Sequence, residues 1–311
     1  MSSGKFDPCP CGSGKLYVQC CFGKVIPTEL LAALKKAAEE NDPFLGLDKD
    51  DLELILEGTL DDVEHIFDTN TKLKNEDALE APLTQDLKVI YQIYQTQGNR
   101  LPVTDMGDIL PRLVQEFREL RYPHHPRYTH ITSELELYPL DRLHNLLQSM
   151  GVLVNHGLYD LFSAQTENFI LEGRWGLVYR AIVCASIDAE EWLRWVDEEF
   201  RTEMFSFVRD TGIFSLMLLR SFGKNPFTFD ELYSRFVRAF PDYGIAEGDS
   251  MELDLAKLMY KDLFLRGFCE PFGFIVDESG QRPETGNLGY ATLRTTPLFR
   301  KAFTWWGRVD R

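Results

Sequence analysis

The chain has 311 residues, a formal net charge of −16, 44% hydrophobic residues and 13% aromatic ones. That length gives two or three modest domains, and so many apolar and aromatic side chains build packed cores, which excludes a largely disordered chain. No run approaches the roughly 18 apolar residues of a membrane-spanning helix, and an acidic chain is poorly suited to broad contact with nucleic acid.

The charge is unevenly spread. Residues 1–24 sum to +2, residues 25–88 to −11, residues 89–209 to −6 and residues 210–311 to −1. A small basic head therefore precedes an acidic body. Residues 1–8, MSSGKFDP, contain no apolar leader, so the expected location is the cytoplasm.

The head holds four of the six cysteines. Cys9 and Cys11 flank Pro10, and Cys20 and Cys21 follow eight residues later in DPCPCGSGKLYVQCC. Two pairs across a short spacer offer four thiolates to one small ion, as in a closed tetrahedral zinc site. So short a segment buries no core, so a metal has to organise it. A disulfide is the poorer reading, because neighbours such as Cys20 and Cys21 close only with backbone strain. Redox-active thiols are the other alternative. Gly12 and Gly14 relieve the crowded backbone, Ser13 caps a turn near Lys15, and a helical turn from Leu16 carries Cys20 and Cys21 back. Gly23 ends that turn, and Tyr17 lids the site. GSGK is no phosphate loop, since Leu16 stands where Ser or Thr would hold magnesium.

The segment from Asp7 to Gly23 resembles the SEC-C motif, whose pattern is C-x-C, eight residues, then Cys-Cys or Cys-His. Leu16, Val18 and Gln19 stand where many members carry lysine. The resemblance implies a zinc knob, loaded with iron in some settings, with Cys9, Cys11, Cys20 and Cys21 as ligands. Such knobs end the SecA translocation ATPase, where they contact the chaperone SecB. They also occur on bacterial proteins of unknown role, some of them associated with ribosomes.

Residues 25–82 read as an acidic helical linker, with helices over 28–41, 48–58 and 59–70. Asp at the start of the last two suits the helix dipole. From Pro82 the pattern changes. Helices are expected over 83–95, ended by Gly98, over 106–120, and over 139–150, closed by Gly151, with LPVT extended between the first two. Residues 152–171 then read as two short strands around a turn. Three helices and a ribbon is the order of a winged-helix domain, here 83–173. Helices over 174–186 and 188–209, the latter with Trp192 and Trp195 on one face, connect this domain to the next.

The order recurs over 210–311. One helix is stopped by Gly223, a Thr228–Glu231 capping box opens a second, and Asp249–Glu252 opens a third, stopped by Gly267. Strands at 268–276 and 290–296 follow, and Pro297 starts a last helix. Gly151 aligned with Gly267 gives a weak internal repeat. This body also resembles winged-helix regions attached to SEC-C motifs in bacterial proteins, through its topology and the phrase LPVTDMGDILPRLV.

No catalytic constellation stands out. His124, His125 and His130 lie in a proline-stiffened loop without the carboxylate that a known metal pattern needs. Glu134 and Glu136 read as a solvated strand edge. Cys184 and Cys269 read as small buried hydrophobes. Lys257, Lys261 and Arg266 would sit on a recognition helix, but Asp254 and Asp262 share it and repel phosphate.

The expected fold is therefore mainly α with small β-hairpins: a zinc knob (1–24), an acidic helical linker (25–82) and two tandem winged-helix-like domains (83–173 and 210–311) joined by helices (174–209). The expected function is a zinc-binding adaptor whose knob docks on a protein or ribonucleoprotein partner, a ribosome or chaperone-like surface, through Lys5, Lys15, Tyr17, Phe22 and Lys24. A DNA-binding regulator is the alternative, disfavoured by net charge. An enzyme with an unfamiliar site is the third reading.

Overall fold

The computed structural model describes residues 42–57, 60–188, 208, 210–241, 256–278 and 292–305. The chain divides into two units, Met1–Asp48 and Lys49–Arg311. In the described end of the first unit, the Asp42 carboxylate accepts hydrogen bonds from the Phe44 and Gly46 amides, each at 2.9 Å, and so closes a turn. The helix expected over 28–41 lies outside the described residues.

The second unit is mainly helical with small antiparallel sheets. It begins with α1 (Lys49–Glu57), which carries Asp50 and Asp51 in its first turn, where the helix dipole favours them. The helix expected over 59–70 does not form in the described part. Residues 60–66 are turns and Phe67–Thr69 is a strand, β1. The reason is tertiary. β1 pairs antiparallel with the last strand, β7 (Phe303–Trp305), with Phe67 opposite Trp305. The expected C-terminal helix is correspondingly short, Pro297–Ala302, because the chain straightens at Phe303 to reach β1.

After the single turn α2 (Asn75–Ala78), a first module follows: α3 (Pro82–Thr96), β2 (Leu101–Pro102), α4 (Pro111–Arg121), α5 (Tyr138–Ser149), β3 (Leu153–Asn155) and β4 (Tyr159–Phe162). Gly98 and Gly151, at φ of 75° and 65°, end α3 and α5 as the sequence suggests. The sheet order is β2-β4-β3, so LPVT is indeed extended and lies at an edge, where Pro102 costs no ladder bond. The apolar stripes of the three helices bury Leu87, Ile90, Leu113, Phe117, Leu143 and Leu147. The ribbon is shorter than expected. Residues 164–171 form α6, capped by Ser163 accepting from the Thr166 amide, and α7 (Trp175–Asp188) packs beside it.

A second module has the same order. It runs α8 (Gly212–Ser221), a one-residue bridge at Phe227, α9 (Phe229–Ala239), a third helix, then β5 (Ile275–Asp277) and β6 (Leu293–Thr295). Phe227 exchanges both backbone hydrogen bonds with Leu293, at 2.9 and 2.7 Å, so the pairing order is Phe227–β6–β5. This matches β2-β4-β3 of the first module. In both, the last strand runs straight into a capped helix, through Ser163 in one and Thr296 in the other. The Thr228–Glu231 capping box forms with both of its hydrogen bonds. The Asp249–Glu252 box, Trp192 and Trp195 lie outside the described residues.

Gly267 does not stop the third helix. Residues 256–260 are α-helical, and Lys261–Cys269 continue as a π-helix. A Cβ at Gly267 would stand 2.9 Å from the Asp262 carbonyl oxygen and 3.0 Å from the Arg142 guanidinium. Glycine is required there by close approach, whereas Gly151 is required by its positive φ. The two glycines of the expected repeat therefore do different things.

Gly267→Ala is expected to lower unfolding stability by about 1–3 kcal/mol, the usual cost of overpacking. Gly212 opens α8 with open space around its Cα, so Gly212→Ala should be neutral or stabilise by about 0.4–1 kcal/mol. Urea unfolding midpoints compare the two, and equal shifts would contradict the packing argument.

Candidate functional site

Cys9, Cys11, Cys20 and Cys21 lie outside the described residues, as do Lys5, Lys15, Tyr17, Phe22 and Lys24. The chemistry of the donor set still decides what it fits. Four thiolates and no carboxylate form a soft, closed set suited to zinc and unsuited to magnesium or calcium. Among the described residues no group of three or more His, Cys, Asp and Glu side chains could hold a metal ion. Cys269 is fully buried, and burial pushes its thiol well up. Cys184 is half-buried, with its sulfur 3.2 Å from the Thr69 hydroxyl.

The main polar centre of the described body was not foreseen as one. Glu134, read from sequence as a solvated edge, is buried, while its neighbour Leu135 is 71% exposed. The Glu134 carboxylate lies 2.6 Å from His144 Nδ1 and accepts the Ile109 amide. His144 Nε2 lies 2.6 Å from Asp160. Asp160 also accepts from Gln148 at 2.7 Å and Asn155 at 2.8 Å. An imidazolium donating from both ring nitrogens thus lies between two carboxylates, with all three side chains at most 2% exposed.

Local structure places each member. His144 falls on the face of α5 that buries Leu140, Leu143 and Leu147, and Asp160 takes an inward position on β4 beside Phe162. Burial opposes the charge on His144, but hydrogen bonds and charge from Asp160 and Glu134 outweigh it and raise its pKa to about 9. Burial likewise opposes the Asp160 charge, and its donors, His144 first, hold its pKa below the usual value. Asp141, one turn earlier on α5, is raised to about 6 by burial and then by Glu134.

The arrangement is enclosed, so it fixes geometry and offers no surface to a substrate. It ties the loop before α4, the loop before α5, α5 itself and the β3–β4 hairpin through one cation. A second ion pair, on the buried carboxylate of Asp86, joins α3 to the end of α4. Arg121 Nε lies 2.5 Å from Asp86, and the Tyr122 hydroxyl donates to the same carboxylate at 3.1 Å. Burial raises Asp86 to about 6, against the pull of Arg121.

The cations of the supposed recognition helix have partners inside the protein. Lys257 pairs with Asp230 at 2.6 Å, and Arg266 with Asp262 at 3.3 Å. Lys257 and Lys261 also stand over the Phe229 ring. Asp254 lies outside the described residues.

Comparison with known families matches the SEC-C motif to residues 7–23. The match coincides with the cysteine segment and spans under a tenth of the chain. No curated protein and no solved structure matches the chain.

The His144 network gives a pH dependence with a definite sign. A histidine raised from 6.5 to about 9 contributes stability that is complete below pH 6.5 and is lost as pH rises through 9. The loss is on the order of 3 kcal/mol, because each tenfold gain in proton affinity on folding is worth about 1.4 kcal/mol. Asp86 and Asp141, both raised, cost stability as pH climbs from 3.8 to about 6. His144→Gln should destabilise at neutral pH by about 3–5 kcal/mol, because two carboxylates remain buried without their cation. It should also remove the alkaline loss. Chemical unfolding of both proteins between neutral pH and pH 10 checks this, and an unchanged alkaline slope in the variant would refute the assignment.

Proposed function

We propose that this protein is a zinc-binding adaptor. Cys9, Cys11, Cys20 and Cys21 hold one zinc ion, with iron as the alternative, in an N-terminal knob that docks on a protein or ribonucleoprotein partner such as a ribosomal or chaperone-like surface. The observation that carries this reading is the SEC-C match on residues 7–23, which coincides with the four-cysteine set. When bound, zinc supplies the cross-link that so short a segment lacks, and apparent binding energies on the order of 10–16 kcal/mol in small peptides suffice to fold it.

The body is read as two winged-helix-like modules. The support is the shared order of helix, extended piece, helix, helix and hairpin, with matching strand order in both. Winged helices serve as protein scaffolds as well as DNA readers, so the fold leaves the partner open. The internal pairing of Lys257 and Arg266 with Asp230 and Asp262 favours protein contact over DNA reading. No helix among the described residues is long and apolar enough to cross a membrane, and the cytoplasm is the proposed location.

Lys5, Lys15 and Lys24 against Asp7 alone make the knob basic, and Tyr17 and Phe22 add apolar contact. Exposed ion pairs contribute only about 0–1 kcal/mol each, so charge steers docking and ring contact holds it.

Elemental analysis of the reduced, tag-free protein should find one metal ion per chain, and Cys11→Ser should lose it while the body melts as before. Protein without metal would sink the reading. In a pull-down, replacing Lys5, Lys15 and Lys24 with Glu should weaken partner capture and flatten its salt dependence at unchanged metal content. Undiminished capture would move the partner surface to the body.

A further inference from the structure

Where one face of an antiparallel sheet meets water, the positions on that face are normally polar. The β2-β4-β3 sheet departs from this. Its inner face carries Leu101, Asp160, Phe162 and Leu153, all buried. The alternate positions, Pro102, Tyr159, Leu161 and Val154, make the outer face, and none of them is buried. Val154 is 41% exposed and Tyr159 36%. Leu158 at the hairpin tip is exposed too, and the His156 ring stacks on Tyr159 at 5.9 Å.

The second module has the same sheet with ordinary outer chemistry. The registers match, since Val276 pairs with Arg294 as Val154 pairs with Leu161. There the outer face carries Thr292, and Arg294 paired with Glu278 at 2.8 Å. The fold itself therefore needs no apolar outer face, and the one on the first module has another cause.

β3 is also the edge of its sheet. The Ser163 amide donates to the Val152 carbonyl and the His156 amide to the Tyr159 carbonyl, both at 2.8 Å. That phase turns the amides and carbonyls of Leu153 and Asn155 away from β4. Among the described residues no backbone hydrogen bond reaches these four groups. Val154, Asn155 and His156 are exposed, so the edge is open to solvent. Edge strands are commonly guarded by charge or proline. β5 is guarded, by Asp277 and the adjoining Glu278, whereas β3, Leu-Val-Asn, carries neither.

We propose that β3 pairs antiparallel with β3 of a second copy of this chain, about a two-fold axis at Val154. Leu153 exchanges both of its outward hydrogen bonds with the partner's Asn155, and Asn155 does the same with the partner's Leu153. Val154 then lies beside its own counterpart, and the two outer faces join into one apolar surface. Such self-complementarity is what a two-fold interface requires. Charge selects the second copy as the occupant. A chain of net charge −16 meets itself most readily where carboxylates are absent or neutralised. Residues 152–163 hold one carboxylate, Asp160, and it is buried against His144. The patch is small, so the association is weak, in the micromolar range. On the adaptor reading, a dimer carries two knobs and grips a repeated partner by avidity; the pairing itself does not rest on that reading.

The test is sedimentation velocity of the intact metal-loaded protein over a series of concentrations. The mass should rise from that of one chain, 35.9 kDa, towards twice that value. Val154→Lys should weaken the association by about tenfold or more, because like charges then meet directly across the axis. Val276→Lys, at the matching position of β5 and similarly exposed, should leave it unchanged. Cys11→Ser should also keep the dimer, which separates this surface from the knob. Hydrogen exchange needs no variant. The Leu153 and Asn155 amides should exchange more slowly as concentration rises, and those of Ile275 and Asp277 should not. A monomer at every concentration would overturn the proposal. So would a dimer of unchanged strength in Val154→Lys, equal weakening by Val276→Lys, or exchange at Leu153 and Asn155 that ignores concentration.

Discussion

Aromatic rings touch in an unbroken series from α9 to β7 and on to β1, and much of the described second unit is arranged around them. Phe236 meets Tyr260 at 4.3 Å, Tyr260 meets Phe264 at 5.3 Å, Phe264 meets Phe268 at 6.4 Å, and Phe268 meets Phe274 at 5.6 Å. Phe274 meets Phe303 at 5.1 Å, and Phe303 meets Phe67 at 4.9 Å. Such pairs each add about 0.5–1.5 kcal/mol beyond the area they bury. The series explains why β1 pairs with β7. Phe67, Phe303 and Trp305 bury their rings only when β1 and β7 are brought together. Asn70 then donates to the Lys301 carbonyl at 2.7 Å, and Lys301 pairs with Asp77 at 2.5 Å, both at the margin of that closure.

Against this apolar series, the two modules meet at a buried cation. Arg142 of α5 lies beneath the π-helix, 3.3 Å from the Arg266 carbonyl and 3.3 Å from the Tyr138 hydroxyl. Burial lowers its pKa, with Tyr138 and Glu270 pulling the other way. Gly267 is the position that admits it. The wider π-helical turn and the missing side chain belong together, and both serve a contact between modules of similar topology. His144, two residues on from Arg142, does the corresponding work inside the first module. α5 therefore carries two buried cations, one facing its own hairpin and one facing the other module.

Functionally the chain separates charge from shape. A basic cysteine segment precedes an acidic body, in which cations such as Arg121, Arg235 and Lys257 pair with carboxylates or stand over rings. Docking through the proposed metal-organised head would suit such a distribution, because an acidic body is poorly matched to nucleic acid.

The sequence by itself determined what depends on neighbours along the chain. Glycines at positive φ mark the ends of α3, α5 and α8, Thr228 and Glu231 close their capping box, and the apolar stripes place the helices. The cysteine spacing matches a specific motif for the same reason, since that spacing is itself a local pattern. Tertiary structure decided what depends on distant partners. Phe67–Thr69 and Phe303–Trp305 carry patterns that allow helix, and pairing across the unit makes them strands. Glu134 alternates with leucines as a solvated edge would, yet His144 and the Ile109 amide draw it inside and leave Leu135 in water. Gly267 looks like a stop and is a space for Arg142, a residue far back along the chain in the other module. No local pattern encodes these outcomes, because in each one the free energy comes from a group that only folding brings within reach.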